Sequence, residues 1–181
     1  MRRLTLSLTV LAVVLYCFGT TRAQSKSDEV IANIEQALKE MEPEWRCSSV
    51  SISQGEPGPN SPRGTKYLSR CQRKTMQLTI FILYGESKRD AERALALSQQ
   101  LQINESKPVG GIGEQAYELA KEGGFAWITF RKASVYAQVN VGIQSTSQTN
   151  DAAATESVVV NDFIEAARLF AQLVAHYIPA T

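Results

Sequence analysis

The run Met76-Gln77-Leu78-Thr79-Ile80-Phe81-Ile82-Leu83-Tyr84 constrains the fold more than any other stretch of the chain. Side chains alternate between the two faces of a strand. Met76, Leu78, Ile80, Ile82 and Tyr84 therefore share one face, while Phe81 and Leu83 make the other partly apolar. A strand that is apolar on both sides belongs in the middle of a sheet. The rest of the chain must supply flanking strands and covering helices.

Those elements can be read from the periodicity. From Asp28 to Met41, Val30, Ile34, Ala37, Leu38 and Met41 recur at helical spacing. Ser27 suits the N-cap, Asp28 and Glu29 suit the first turn, and Pro43 ends the helix. Ser48 to Ser53 alternates Val50 and Ile52 with serines, as a half-buried strand would. Thr65–Gln72 and Thr75–Tyr84 read as two further strands joined at Arg73-Lys74. A second helix follows from about Ser87 to Leu101, with Ala91, Ala94, Leu95, Ser98 and Leu101 inward, its alanines implying close approach to the sheet.

Asn104–Gly113 reads as a loop. Phe125–Arg131 and Ser134–Ile143 read as an antiparallel pair turning at Lys132-Ala133, with Val135, Ala137, Val139, Val141 and Ile143 inward and Tyr136, Gln138 and Asn140 outward. A polar link leads to a last helix from about Glu156 to Tyr177, whose stripe is Val159, Phe163, Ala167, Phe170, Val174 and Tyr177. The predicted order is α-β-β-β-α-β-β-α. The fold class is α+β, a mainly antiparallel sheet of about five strands covered by three helices.

The N-terminus has a different character. Met1-Arg2-Arg3 is followed by an apolar run from Leu4 to Phe18, then by Gly19-Thr20-Thr21-Arg22-Ala23-Gln24. Positive start, apolar middle and a small-x-small site describe a secretory signal peptide cleaved between Ala23 and Gln24. A run of 15 residues is short for a membrane span, which needs roughly 20; an uncleaved anchor is the alternative. Arg2-Arg3 also fits a twin-arginine address. Bulky Tyr16 argues against lipid attachment at Cys17. The expected organisation is a signal peptide at 1–23 and one exported domain at 24–181. Removing the signal segment's three arginines takes the formal charge from +1 to −2. A near-neutral chain lacks the field that gathers nucleic acid or an anionic bilayer.

In an oxidising compartment the two remaining cysteines, Cys47 and Cys71, are expected to pair. They enclose a Gly- and Pro-rich stretch at 54–64 that cannot hold itself in place. A redox-active pair, the rival reading, normally sits closer together as Cys-x-x-Cys.

Few motifs carry chemistry. Val109-Gly110-Gly111-Ile112-Gly113-Glu114 lacks the Lys-Ser/Thr pair of a P-loop and follows no strand; it reads as a turn bringing backbone close to the sheet. The one histidine, His176, falls in the last turn of the final helix, where a cation suits the dipole. A nucleophile triad would have to use this residue, and no Gly-x-Ser-x-Gly elbow accompanies it; one histidine with a paired cysteine couple makes a poor zinc site. The acids from Asp28 to Glu44 read as a solvated face. Asn104-Glu105-Ser106 fits a glycosylation sequon. Arg63, Lys66, Arg70, Arg73 and Lys74 form a basic stretch whose alternation puts Lys66 and Arg70 on one face. That face is either anion-facing or an edge protected by charge. Tyr67, Trp127 and Tyr136 are the candidate groove aromatics.

Gly111-Ile112-Gly113-Glu114-Gln115-Ala116-Tyr117, followed by Phe125-Ala126-Trp127-Ile128-Thr129-Phe130-Arg131-Lys132 and a Val-rich strand, resembles a loose class of small exported bacterial domains. Most of that class are uncharacterised envelope proteins; some look like PsbP-type α/β/α sandwiches or the extracellular sensor domains of bacterial kinases. The resemblance covers roughly residues 105–178. It implies a bacterial envelope address and carries over no functional residue.

Together these readings lead to an expectation of a periplasmic or secreted, non-catalytic binding module, needing no cofactor or metal and recognising an envelope protein or ligand. Its candidate binding residues are Tyr67, Trp127, Tyr136, Lys66 and Arg70. The alternatives are an enzyme using carboxylates and a structural accessory subunit of an envelope complex.

Overall fold

The computed structural model describes residues 27–41, 43–52, 61–101, 105–121, 125–143 and 156–180, and only the backbone of 156–161. The signal segment with Ala23 and Gln24, most of the 54–64 loop, and Asn104 of the sequon lie outside the described residues. Helix α1 (27–41) is followed by strands β1 (Arg46–Ile52), β2 (Gly64–Arg73) and β3 (Met76–Gly85), then helix α2 (Lys88–Leu101). Strands β4 (Lys107–Val109), β5 (Gln115–Lys121), β6 (Phe125–Lys132) and β7 (Val135–Ile143) lead to helix α3 (Glu156–Tyr177). The sheet order is β1-β2-β3-β7-β6-β5-β4, antiparallel throughout.

The fold is α+β with one antiparallel sheet and three helices, but the sheet has seven strands where about five were expected. The additions are β4, from the stretch read as a loop, and β5, from residues to which no strand or helix was assigned. The two-residue hairpin turns fall at Lys74-Thr75 and Ala133-Ser134, one residue later than expected. Lys74 and Ala133 each adopt positive φ, as the tight turns compatible with strand twist require.

The strand apolar on both sides, β3, lies between β2 and β7 near the sheet's centre. Its Leu78, Ile80 and Ile82 join Ala137, Val139 and Val141 of β7 and Ile128 and Phe130 of β6 in the main core. Over this face α1 supplies Ile31, Ile34 and Leu38, and α3 supplies Phe163, Ala167, Phe170, Ala171 and Val174. Trp45 closes the layer edge-on to Phe170, ring centroids 5.7 Å apart. Arg168 of α3 donates two hydrogen bonds of 2.7 Å to Glu118 of β5. Lys132 donates to the carbonyls of Ala175 and Ile178, satisfying acceptors that a helix end leaves unpaired.

At the sheet's edge the expected orientation is reversed. Val50 and Ile52 point to solvent, and Ser49 on the other face turns toward α1 instead. Ser49 and Ser69 both donate to Glu35, so a carboxylate on the helix draws the polar face inward. Ser27 lies within α1 rather than capping it at Asp28, and Met41 is exposed. Cys47 and Cys71 face each other in the β1–β2 register and form a disulfide.

The Gly-rich turn locks one end of the molecule. Gly113 has φ of 61°, and a Cβ there would stand 2.5 Å from the Arg131 carbonyl. The next residue, Glu114, donates its N–H to that carbonyl. Its carboxylate accepts from the Ala133 N–H at 2.9 Å and from the Arg131 guanidinium at 2.6 Å. These bonds, the Ala133 amide foremost, hold the Glu114 carboxyl below its ordinary value of 4.5. The stability it contributes is complete above pH 4.5 and is lost as pH falls through the lower folded value. Urea unfolding between pH 6 and 3 should show that loss. Glu114→Gln should start lower at neutral pH and fall less across the window; parallel curves would remove Glu114 as the cause.

Candidate functional site

The opposite sheet face is only half covered. On it the register lays down three rows across β2, β3, β7 and β6: Lys66–Leu83–Tyr136–Arg131, Leu68–Phe81–Gln138–Thr129 and Arg70–Thr79–Asn140–Trp127. Helix α2 packs over the first row through Ala91, Ala94 and Leu95, forming a small second core with Leu83 and Tyr136. The alanines let the helix axis come close there. Further along, α2 lifts away, leaving Leu97 partly exposed and Leu101 89% exposed. Leu101 therefore does not reach the core as its helical spacing suggested. Under this overhang lies a cleft of about 620 Å³.

Two devices fix the cleft's geometry. Ser87 and Asp90 cap α2 reciprocally: the Asp90 N–H donates to the Ser87 hydroxyl, and the Ser87 N–H donates to the Asp90 carboxylate. The same carboxylate accepts the Arg63 N–H at 3.1 Å, which ties Pro62 to one end of the cleft. The Ser87 hydroxyl, then the Arg63 amide, hold the Asp90 carboxyl below the usual range.

The floor is apolar at Leu68, Phe81 and Leu83, and α2 contributes Ala94, Leu97 and Leu101 above it. A polar track runs along β7. Tyr136 donates to the Gln138 carbonyl at 3.1 Å, and the Gln138 amide donates to Asn140 at 3.0 Å. Burial pushes the Tyr136 phenol up to about 12, opposed by a hydrogen bond with Ser98 of α2, so the ring stays neutral. Trp127 closes the far side, its ring 4.8 Å edge-on from Phe125 and the Lys121 ammonium 6.0 Å from its centroid. The Trp127 indole N–H is buried and has no hydrogen-bond partner among the described residues.

Of the five residues expected to bind, the structure brings Lys66, Trp127 and Tyr136 into the cleft. Tyr67 does not belong with them. It is buried in the main core on the other face, its ring 5.8 Å edge-on from Tyr84. Arg70 shares the Lys66 face but is exposed and outside the lining. Tyr136, expected to face outward, is buried under α2. Phe81, Leu83, Leu97 and the Gln138–Asn140 track were not foreseen as site residues. Their signal was the apolar second face of β3 beside a helix with a narrow apolar stripe.

No lining residue described is Asp, Glu, His or Cys. His176 lines a shallower recess of about 400 Å³ with Glu114 and Lys132, whose charges are already committed to the hairpin turn and the end of α3. Among the described residues, no cluster of three or more His, Cys, Asp or Glu could hold a metal, and no helix is long and apolar enough to cross a membrane.

No protein-family model matches the chain, and a search of curated proteins gives no match. Among solved structures, the chain is similar to an uncharacterized protein from Mycobacterium smegmatis. The identity is 9% and the TM-score 0.43, over 82% of this chain and 96% of that one.

Proposed function

We propose that the chain is an exported, non-catalytic binding module, periplasmic or secreted, whose ligand occupies the cleft between α2 and the sheet. The observation that carries the reading is the half-covered face. An apolar cleft of about 620 Å³ with a few fixed polar groups is the usual form of a small-ligand site. The Cys47–Cys71 disulfide and the signal-like residues 1–23 support the exported address. The carboxylate enzyme would need acids converging in one cleft with raised pKa values. The described acids with resolved shifts, Asp90 and Glu114, are lowered and serve a helix cap and a turn.

The test is titration with the uncharged apolar dye N-phenyl-1-naphthylamine, read by dye emission and by Trp127 quenching in a Trp45→Phe background. Trp45 lies in the main core, so Trp127 then reports on the cleft alone. Saturable binding is expected, weakened about tenfold by Leu97→Glu, because a charge replaces an apolar contact at the lip. Dye binding that never saturates, or that ignores Leu97→Glu, would sink the proposal.

A further inference from the structure

The distribution of charge and hydrogen bonds within the cleft identifies its ligand class, and the inference rests on the binding reading above. We infer that the cleft takes an anionic amphiphile, a long-chain carboxylate or an equivalent acyl anion, with its acid at Lys66 and its chain under α2. Lys66 is the one charged side chain among the lining residues described, and it makes no ion pair or hydrogen bond with any described residue. Two carboxylates at this end of the sheet, Asp90 beside Arg63 and Glu114 beside Arg131, are engaged elsewhere. Asp90 is held by Ser87 and the Arg63 amide, and Glu114 by Ala133, Arg131 and Lys88. A cation with no counter-charge among the described residues, beside apolar surface, favours an anion, and water is partly excluded there by α2.

The path leading away from Lys66 is apolar. Leu68, Phe81 and Leu83 form the floor, and Ala94, Leu97 and Leu101 the roof. The polar side chains along β7 pair with one another: Tyr136 donates to Gln138, and Gln138 to Asn140. A ligand lying over them needs no matching polar group along its length, which suits a hydrocarbon chain. An extended peptide fits poorly. Its backbone would lie over the middle of a sheet whose own amides are paired across strands, with no edge to join. From Lys66 on β2 to Trp127 on β6 spans three strand spacings across and four residues along. These are about 14 Å and 13 Å, room for an extended chain.

The experiment is displacement of N-phenyl-1-naphthylamine from the purified protein by dodecanoate, dodecanol and dodecyltrimethylammonium, each below its micelle concentration. Dodecanoate should bind about tenfold more tightly than dodecanol, the worth of one charged hydrogen bond, and the cation most weakly. Lys66→Gln should abolish the dodecanoate advantage, bringing dodecanoate down to the affinity of dodecanol measured on the same variant, whereas Arg70→Gln should preserve it. Shortening the carboxylate from twelve carbons to ten should weaken it roughly fifteenfold, about fourfold per methylene. Equal displacement by all three probes, with the dye still bound, overturns the anionic head and leaves the binding module standing. A Lys66→Gln protein that keeps the preference overturns the assignment to Lys66. Failure of the dye to bind overturns the cleft itself and this inference with it.

Discussion

Phe130→Ala should lower the stability of the fold by about 3–5 kcal/mol, the usual cost of emptying a large aromatic site in a packed core. Phe130 is fully buried in the main cluster, on the face of β6 that α3 covers. Its ring also lies close under the Gly113 backbone, where even a Cβ would come within 3.1 Å of Cδ2. The cavity is therefore bounded by a helix, two strands and a turn pinned by Glu114, none of which can collapse without breaking other bonds. In thermal unfolding the loss corresponds to roughly 6–20 °C for a chain of this size. Leu169→Ala on the exposed side of α3 is the control and should change stability by no more than about 0.5 kcal/mol. A Phe130→Ala protein that unfolds with the control would mean that this core is not packed as described.

The same core explains what was legible in the sequence. β3 could be read because both of its faces are apolar, and α3 because Phe163, Ala167, Phe170 and Val174 keep helical spacing over about three turns. β5 was hidden because the side chain it turns toward α3 is Glu118, whose partner Arg168 lies 50 residues further on. An acid facing inward breaks the apolar alternation on which strand recognition depends. β1 misled for the same reason in reverse: its Ser49 faces Glu35 and its Val50 and Ile52 face water. At the site, parity alone could have separated the candidates. Lys66 and Tyr67 are consecutive on one strand and cannot share a face, so a cleft containing Lys66 excludes Tyr67. What the sequence could not convey was how far α2 extends over the sheet. That depends on the small second core holding only one end of the helix.

Replacing both Cys47 and Cys71 by alanine should cost about 3.5 kcal/mol, the chain-entropy value for closing a loop of this length. The loss should concentrate at the sheet's edge. Apart from the half-buried Cys47, every β1 side chain is exposed, so the strand holds to β2 by its ladder and the bridge, and to α1 by the Ser49–Glu35 hydrogen bond. Cys71, by contrast, is buried in the core and stays placed without its partner. Hydrogen exchange should accordingly rise first and most in β1, while the amides of β3 and β7 exchange only with global unfolding. Binding of the uncharged dye should survive at low temperature, because the cleft is built from β2, β3, β6, β7 and α2. Reduction of the native protein should reproduce the stability loss of the double variant, as a structural staple requires. If instead reduction changes neither stability nor β1 exchange, the cysteines contribute little to holding the edge, and the redox-active reading of the pair regains its ground.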